Sequence, residues 1–105
     1  MISKGNYAVI FVSNRQTDSD EYHSVDAELM ALAKKEPGFI RIESAENPIG
    51  ITISYWKDME SIEKWKHNAR HLYAKSKAKS WYQSYTSIIC KVEHISTFVN
   101  NAKAE

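Results

Sequence analysis

Residues 7–12 read Tyr7-Ala8-Val9-Ile10-Phe11-Val12, an unbroken run of aromatic, β-branched and small apolar side chains that ends at the polar cluster 13–16. This composition is typical of a β-strand that runs into a loop. Because side chains alternate across a strand, Tyr7, Val9 and Phe11 face one side and Ala8, Ile10 and Val12 face the other. A strand that is apolar on both faces is expected at the centre of a sheet.

Two helical regions and three further strands are predicted around this run. The first helix starts at Asp18 or Asp20, either of which is able to cap it, and ends near Glu36 because Pro37 disfavours helical geometry before it. The second helical region is capped by Asp58, restarts at Asn68 and ends near Ser80. The strands are predicted at residues 39–44 and 51–56, joined as a hairpin, and from Tyr82 or Tyr85 to Val92.

The order β-α-β-β-α-β is the signature of the ferredoxin-like split β-α-β fold, an α+β architecture with an antiparallel sheet. In that topology strands one and three are central, which suits the apolar first strand. We expect residues 1–105 to form a single domain with a C-terminal tail at 96–105, in which Phe98 and Val99 add a short edge contact.

Composition argues against several classes of partner. The chain has 105 residues, of which 43% are hydrophobic and 26% charged, and a formal net charge of +1. This charge provides no field that would attract nucleic acid or an anionic membrane. The longest apolar run has about six residues, far short of the ~20 that a membrane-spanning helix needs. The only cysteine, Cys90, cannot form an internal disulfide, so a reducing, cytoplasmic location is expected.

The apolar first strand also predicts self-association. Two helices cover only one face of a four-stranded sheet, and each large apolar side chain left in water forgoes roughly 1.5–3 kcal/mol of burial. A second copy of the same face is the simplest cover, so we predict a homodimer whose sheets meet. Alternatively, the C-terminal tail covers the sheet face that the helices leave open.

Two groups of residues are candidates for chemistry. His67 and His71 are spaced i, i+4, a spacing that suits a metal, although a solvated histidine pair is the stronger interpretation and no metal site is predicted. Aromatic residues are dense in the second half of the chain, which indicates either core packing or a cavity for a flat aromatic ligand. These residues are Tyr55, Trp56, Trp65, Tyr73, Trp81, Tyr82 and Tyr85.

Several segments together resemble the antibiotic biosynthesis monooxygenase (ABM) domain family, in particular an uncharacterised bacterial branch of it. They are Pro37-Gly38-Phe39-Ile40, Glu43-Ser44, Gly50-Ile51-Thr52-Ile53-Ser54-Tyr55-Trp56, Trp65-Lys66, His71, Ala74 and Trp81-Tyr82-Gln83-Ser84-Tyr85. The resemblance spans nearly the whole chain and implies a dimeric α+β barrel. It also implies a ligand between the helices and the sheet.

Two chemistries occur among the proteins that the chain resembles: cofactor-free oxidation of aromatic, polyketide-type substrates by O₂, and oxidative opening of heme. Asn14 and Trp65 match the Asn and Trp of the heme-degrading relatives, but their histidine corresponds to a position near Lys75, one helical turn after His71. The resemblance therefore favours a monooxygenase without a bound cofactor. Heme degradation and a non-catalytic ligand-binding dimer are the alternatives.

The resemblance also suggests which residues act. His71 would be the base, with Trp65, Asn14 and Tyr82 as the other catalytic residues. A small aromatic substrate would be bound by Trp56, Tyr55, Tyr85 and Phe39.

Overall fold

The structure is a computed structural model and describes residues 1–100. Its elements follow the expected order, with the second helical region divided into three segments. In chain order they are β1 (Tyr7–Arg15), α1 (Asp20–Ala33), β2 (Phe39–Ala45), β3 (Gly50–Trp56), α2 (Met59–Lys66), α3 (Ala69–Ser76), α4 (Ala78–Trp81) and β4 (Tyr82–Lys91).

The four strands form one antiparallel sheet in the order β2-β3-β1-β4, so the predicted central position of strands one and three is confirmed. Tyr7 pairs with Trp56 and Ser13 with Gly50 across the two central strands. β1 continues to Arg15, beyond the predicted end at Val12. The polar residues remain extended because β4 pairs with them, Ser13 with Tyr85 and Asn14 with Ser84. The backbone hydrogen bonds between β1 and β4 here outweigh the low β-strand propensity of the polar side chains.

The helices pack on the sheet face that carries Tyr7, and two apolar clusters fill this layer. The Trp56 cluster lies where β1 begins, and the Trp81 cluster lies where β1 ends. The Trp56 cluster contains Ala33, Trp56 and Ile62, with Tyr7, Val9, Phe39, Met59 and Trp65 against it. The Trp81 cluster contains Tyr22, Val25 and Trp81, with Leu29, Tyr73, Ala74 and Tyr82 against it.

The helix caps agree with the sequence in two of three cases. The side chain of Asp58 accepts from the Ser61 amide, and Asn68 accepts from the amides of Arg70 and His71, as predicted. The cap of α1 is Ser19 and neither neighbouring aspartate, since the Ser19 hydroxyl accepts from the Tyr22 amide at 3.1 Å. All three residue types cap helices well, so the sequence alone does not rank them.

Gly38, directly before β2, adopts a φ of +87°, a conformation that L side chains rarely take. A Cβ at this position would collide with the Ser61 hydroxyl on α2. The glycine therefore permits both the turn after α1 and the close approach of α2.

The other sheet face carries apolar side chains that no helix of residues 1–100 covers. By the register of β1, the side chains of Ala8, Ile10 and Val12 point to this open face, together with Tyr55 and Ile88. Ile88 is 45% exposed. The described tail does not cover this face with a strand.

The predicted edge contact of the tail is wrong for the described residues: 92–100 form no strand, and Phe98 is 85% exposed. Residues 101–105 of the predicted tail lie outside the described part. Leu72 lies on the exposed side of α3 and is 47% exposed. Through residue 100, the helices are all too short or too polar to cross a bilayer.

Candidate active site in the helix-sheet layer

Four predicted site residues form a continuous group, here called the aromatic stack: Phe39, Trp56, Trp65 and His71. The imidazole of His71 stacks on the indole of Trp65 with centroids 5.1 Å apart. Trp65 in turn stacks on Trp56 at 6.2 Å, and Phe39 meets Trp56 edge-on at 5.5 Å. The structure therefore brings two predicted catalytic residues, His71 and Trp65, together with two predicted substrate contacts, Trp56 and Phe39.

Each member of the aromatic stack is held by a different element. Trp56 ends β3 and is fully buried, and its indole N–H donates to the Ser54 hydroxyl at 2.9 Å. Trp65 lies in the last turn of α2. His71 lies in the first turn of α3, whose start is set by the Asn68 cap. The break between α2 and α3 thus decides where the imidazole points.

The electrostatic state of His71 follows from its surroundings. Burial lowers the pKa of the imidazole below its usual 6.5, while the Lys66 carbonyl acts in the opposite sense and Lys75 lowers the pKa further. Its Nδ1 is buried and has no hydrogen-bond partner. A neutral imidazole with a free ring nitrogen is able to accept a proton at neutral pH.

A second feature, here called the β1 cleft, lies at the far end of the same layer. It has an inner cavity of about 40 Å³ and an outer part of about 470 Å³. The two parts share Ser13, Arg15, Glu46 and Gly50, so the outer part leads into the inner one. The inner cavity is also lined by Phe11, Tyr22, Asp26, Ser44, Ala45, Thr52 and Tyr82.

Arg15 lies beside this cavity with its guanidinium over the ring of Tyr22, 4.7 Å from the centroid. Its buried Nη1 makes no hydrogen bond and is 3.7 Å from Asp18 Oδ1. Burial raises the pKa of the Asp26 carboxyl, and the nearby Glu46 carboxylate raises it further. Burial also raises the pKa of Tyr82 well above its usual 10.

The remaining predicted site residues do not join the aromatic stack. Tyr82 and Tyr85 lie near the β1 cleft, each packed on the ring of Phe11, at 5.5 and 5.1 Å respectively. Tyr55 pairs with Ala8 and so points to the open face, as does Asn14, whose amide donates to the Ser84 hydroxyl at 3.1 Å. The predicted residues are therefore divided between two clusters and two sheet faces.

Sequence reasoning missed Arg15, Tyr22 and Asp26 as members of a cavity. A signal was present for two of them: Tyr22 and Asp26 are spaced i, i+4, so an acidic residue lies on the apolar face of α1. An acid at such a position requires a polar neighbour or a cavity. Arg15 had no comparable signal, because its placement depends on the extension of β1.

The two histidines suggested as a metal pair are separated by the helix break. His67 is exposed at the end of α2, where its Nδ1 donates to the Glu63 carbonyl at 2.8 Å. Across residues 1–100, histidine, cysteine and acidic side chains nowhere gather in threes as a metal site requires.

Comparisons with known proteins agree with this architecture. No protein-family model matches the chain. YqjZ of Bacillus subtilis (strain 168), an uncharacterised protein, is 38% identical over 98 residues, which cover 90% of this chain and 86% of YqjZ.

Among solved structures, SnoaB of Streptomyces nogalater, described as a cofactor-independent oxygenase, superposes with a TM-score of 0.73 at 14% identity, over 87% of this chain and 96% of SnoaB. A provisionally assigned antibiotic biosynthesis monooxygenase from Nitrosomonas europaea superposes with a TM-score of 0.73 at 14% identity. The superposition covers 87% of this chain and 93% of the Nitrosomonas protein. The chain therefore belongs to the same family as YqjZ and has the fold of the antibiotic biosynthesis monooxygenase domain, as its sequence resemblance implied.

Proposed function

We propose that this chain is an ABM-type monooxygenase that oxidises a small hydroxylated aromatic or polyketide-like substrate with O₂ and without a tightly bound cofactor. The description of SnoaB as a cofactor-independent oxygenase supports the reaction class. The aromatic stack supports the substrate class, because flat rings bind favourably against other flat rings.

The single observation behind the proposal is the state of His71. Its Nδ1 is buried, has no hydrogen-bond partner, and belongs to an imidazole whose pKa burial lowers. A general base must be unprotonated at the working pH and shielded from competing water. His71 meets both conditions, and Trp65 fixes the plane of its ring.

The chemistry balances without an external reductant. His71 Nδ1 accepts a proton from a substrate CH₂ group activated by a neighbouring aromatic ring, which leaves a delocalised carbanion. The carbanion transfers its electrons to O₂ and forms a C–O bond, giving a hydroperoxide once the proton returns. Loss of water leaves a carbonyl, so that CH₂ and O₂ yield C=O and H₂O. Approach to Nδ1 requires α3 to move at the His67-Asn68 junction, where helical hydrogen bonding is interrupted.

Heme does not fit the arrangement of the described residues. The histidine of the heme-degrading relatives corresponds to a position near Lys75, and the imidazole of His71, one turn earlier, is covered on one side by Trp65. The outer β1 cleft, of about 470 Å³, is lined by none of the aromatic stack. No step is therefore assigned to heme.

A non-catalytic ligand-binding protein is the second candidate function. The observation that favours it is the separation between the buried His71 nitrogen and the β1 cleft, since the cavity is lined by residues of the other cluster. Such a protein would bind a small molecule in the layer without consuming O₂.

We also propose that the protein works as a homodimer through the open face of its sheet. The apolar side chains of Ile10, Val12 and Ile88 support this proposal, because a second copy of the face would bury them. Analytical ultracentrifugation at micromolar concentration tests it, and a single monomeric species would refute it.

Oxygen consumption with a hydroxylated anthrone, which carries a CH₂ group between aromatic rings, tests the proposed activity. We expect saturable uptake in the wild type, a fall of about 10² or more in rate for His71→Gln, and little change for His67→Gln, the exposed histidine four residues away. Saturable binding without uptake over a panel of such substrates would favour the binding protein. If the rate of O₂ uptake is the same in His71→Gln as in the wild type, His71 is not the base.

A further inference from the structure

The β1 cleft lies at the opposite end of the layer from the aromatic stack and has no part in the proposed oxidation. Trp56 is opposite Tyr7 at the start of β1, whereas Gly50, at the cleft, is opposite Ser13. Six residues of extended strand separate these positions, about 20 Å at ~3.3 Å per residue. A ligand in the cleft would therefore occupy a site of its own.

The inner cavity has a buried donor without a partner beside a carboxyl group. Arg15 Nη1 is buried without a hydrogen bond, and the half-buried Asp26 lines the same cavity. A buried donor without a partner is unfavourable, so a ligand group that accepts from Arg15 and donates to Asp26 would remove this cost. A hydroxyl group both accepts and donates, and about 40 Å³ is room for such a group but not for an aromatic ring.

The outer cleft indicates a polar ligand body. Seven of its nine lining residues have polar side chains: Ser13, Arg15, Gln16, Thr17, Asp18, Glu46 and Asn47. The Gln16 side-chain nitrogen already donates to the carbonyls of Lys79 and Ser80, at 2.7 and 3.1 Å, which fixes the amide and leaves its oxygen as an acceptor. An apolar ring placed here would bury polar groups without partners.

The groups that line the cleft disfavour anionic and ammonium ligands for different reasons. An anion would meet the acidic side chains of Asp18, Asp26 and Glu46. An ammonium group has no acceptor for the buried Arg15 Nη1 and would leave this donor unpaired. A neutral hydroxyl group avoids both penalties.

Gly50 keeps the junction between the two parts open. A Cβ on Gly50 would lie 2.7 Å from the buried Ser13 hydroxyl oxygen, so any side chain here would displace the wall of the cavity. The passage therefore depends on a residue without a side chain.

We propose that the β1 cleft binds a neutral polyhydroxylated small molecule of the monosaccharide or cyclitol class, with one hydroxyl in the inner cavity between Arg15 and Asp26. The hydroxyl oxygen accepts from Arg15 Nη1, and its hydrogen is donated to the Asp26 carboxylate. The remaining hydroxyls pair with the polar side chains of the outer cleft.

Titration of the ¹⁵N-labelled full chain followed by NMR tests the proposal, with methyl glucoside and inositol as neutral probes. We expect saturable shifts of the Ser13, Asp26 and Gly50 amides, with at least tenfold weaker binding of the anionic glucuronate and the cationic glucosamine. Arg15→Met and Asp26→Asn should each weaken methyl glucoside binding at least tenfold. Gly50→Ala should abolish it, and Asp26→Asn, which keeps the side-chain shape, remains informative if Gly50→Ala does not fold.

Arg70→Met is the matched control. Arg70 also lies over a tyrosine, 4.8 Å from the Tyr73 centroid, and pairs with an acid, Glu28, but lines neither part of the cleft. The Arg70→Met variant should bind the neutral probes as tightly as the wild type does. Absence of shifts with both neutral probes, tighter binding of glucuronate or glucosamine, or equal losses in the Arg15 and Arg70 variants would each overturn the proposal. The titration is done without turnover, so failure of the oxidation leaves this result unaffected.

Discussion

The rings of His71 and Trp65 lie nearly parallel, 5.1 Å apart and inclined by 26°, although the two residues are six positions apart in the sequence. On an uninterrupted α-helix, with about 100° per residue, side chains six residues apart point about 120° away from each other. The stack therefore exists because the helix is broken at His67 and Asn68, where α2 ends and α3 begins. The break is a feature of the candidate site.

Asn68→Ala should loosen this stack. The Asn68 side chain accepts from the amides of Arg70 and His71, and loss of such a cap costs about 1 kcal/mol. We expect a decrease of about this size in the free energy of unfolding in urea, together with a His71 imidazole pKa that moves back toward its ordinary value in NMR titration. Asn68→Asp keeps the acceptor and should retain most of the stability. An unchanged His71 titration in Asn68→Ala would mean that the cap does not position the ring.

Stability should fall on acidification because of His71. Burial lowers the pKa of its imidazole in the folded state, so below about pH 6.5 the unfolded chain binds a proton that the folded chain refuses. The stability that the neutral imidazole of His71 contributes to the folded state is therefore fully present above pH 6.5. It is lost as the pH falls from 6.5 toward the lower pKa of the folded state. Thermal unfolding from pH 7.5 to 5 should show a steeper decline for the wild type than for His71→Phe.

The variants isolate this effect from other groups. Asp26, whose pKa is raised by burial, acts in the opposite direction at lower pH, but it is present in both proteins and cancels in the comparison. His67→Gln, at an exposed position, should follow the wild-type profile. Parallel profiles for the wild type and His71→Phe would contradict the assigned burial of the imidazole.

Gly38→Ala should destabilise the fold more than Gly5→Ala. Both glycines have positive φ, +87° and +92°, which costs a residue with a Cβ about 1–2 kcal/mol. Only the Gly38 Cβ meets another group, the Ser61 hydroxyl, and overpacking of this kind adds about 1–3 kcal/mol. Urea unfolding of the two variants measures the difference. The double variant Gly38→Ala/Ser61→Ala should recover part of the loss, and equal losses in the two single variants would exclude the clash.

Ile88→Glu should separate the proposed dimer into monomers. Ile88 lies on the open face and is 45% exposed, so in a face-to-face dimer the carboxylate would be buried without a partner. Leu72→Glu is the matched control, since Leu72 is 47% exposed on α3. Sedimentation should give monomers for the first variant and dimers for the second, with unchanged circular dichroism in both. Dimers with both variants would place the interface elsewhere.

The positions of Tyr82 and Tyr85 could not be predicted fully from the sequence. The sequence left either residue as the start of the last strand, and both were expected to contact a ligand. β4 begins at Tyr82 because α4 ends one residue earlier at Trp81, and the two tyrosine rings then pack on Phe11 from β1. Contacts between residues about 70 positions apart decide this, and no local pattern encodes them.

The sequence by itself determined the order of the elements, the central position of β1 and β3, the caps at Asp58 and Asn68, and the family. The first three properties depend on alternation, composition and capping chemistry, which act over a few neighbouring residues, whereas the family was implied by the resemblance of segments along the chain. Only the tertiary structure decided which aromatic residues stack on His71, that Asn14 and Tyr55 lie on the open face, and that Arg15 and Asp26 line one cavity. The strand pairing register and the helix break set these relationships, and both result from packing over the whole chain.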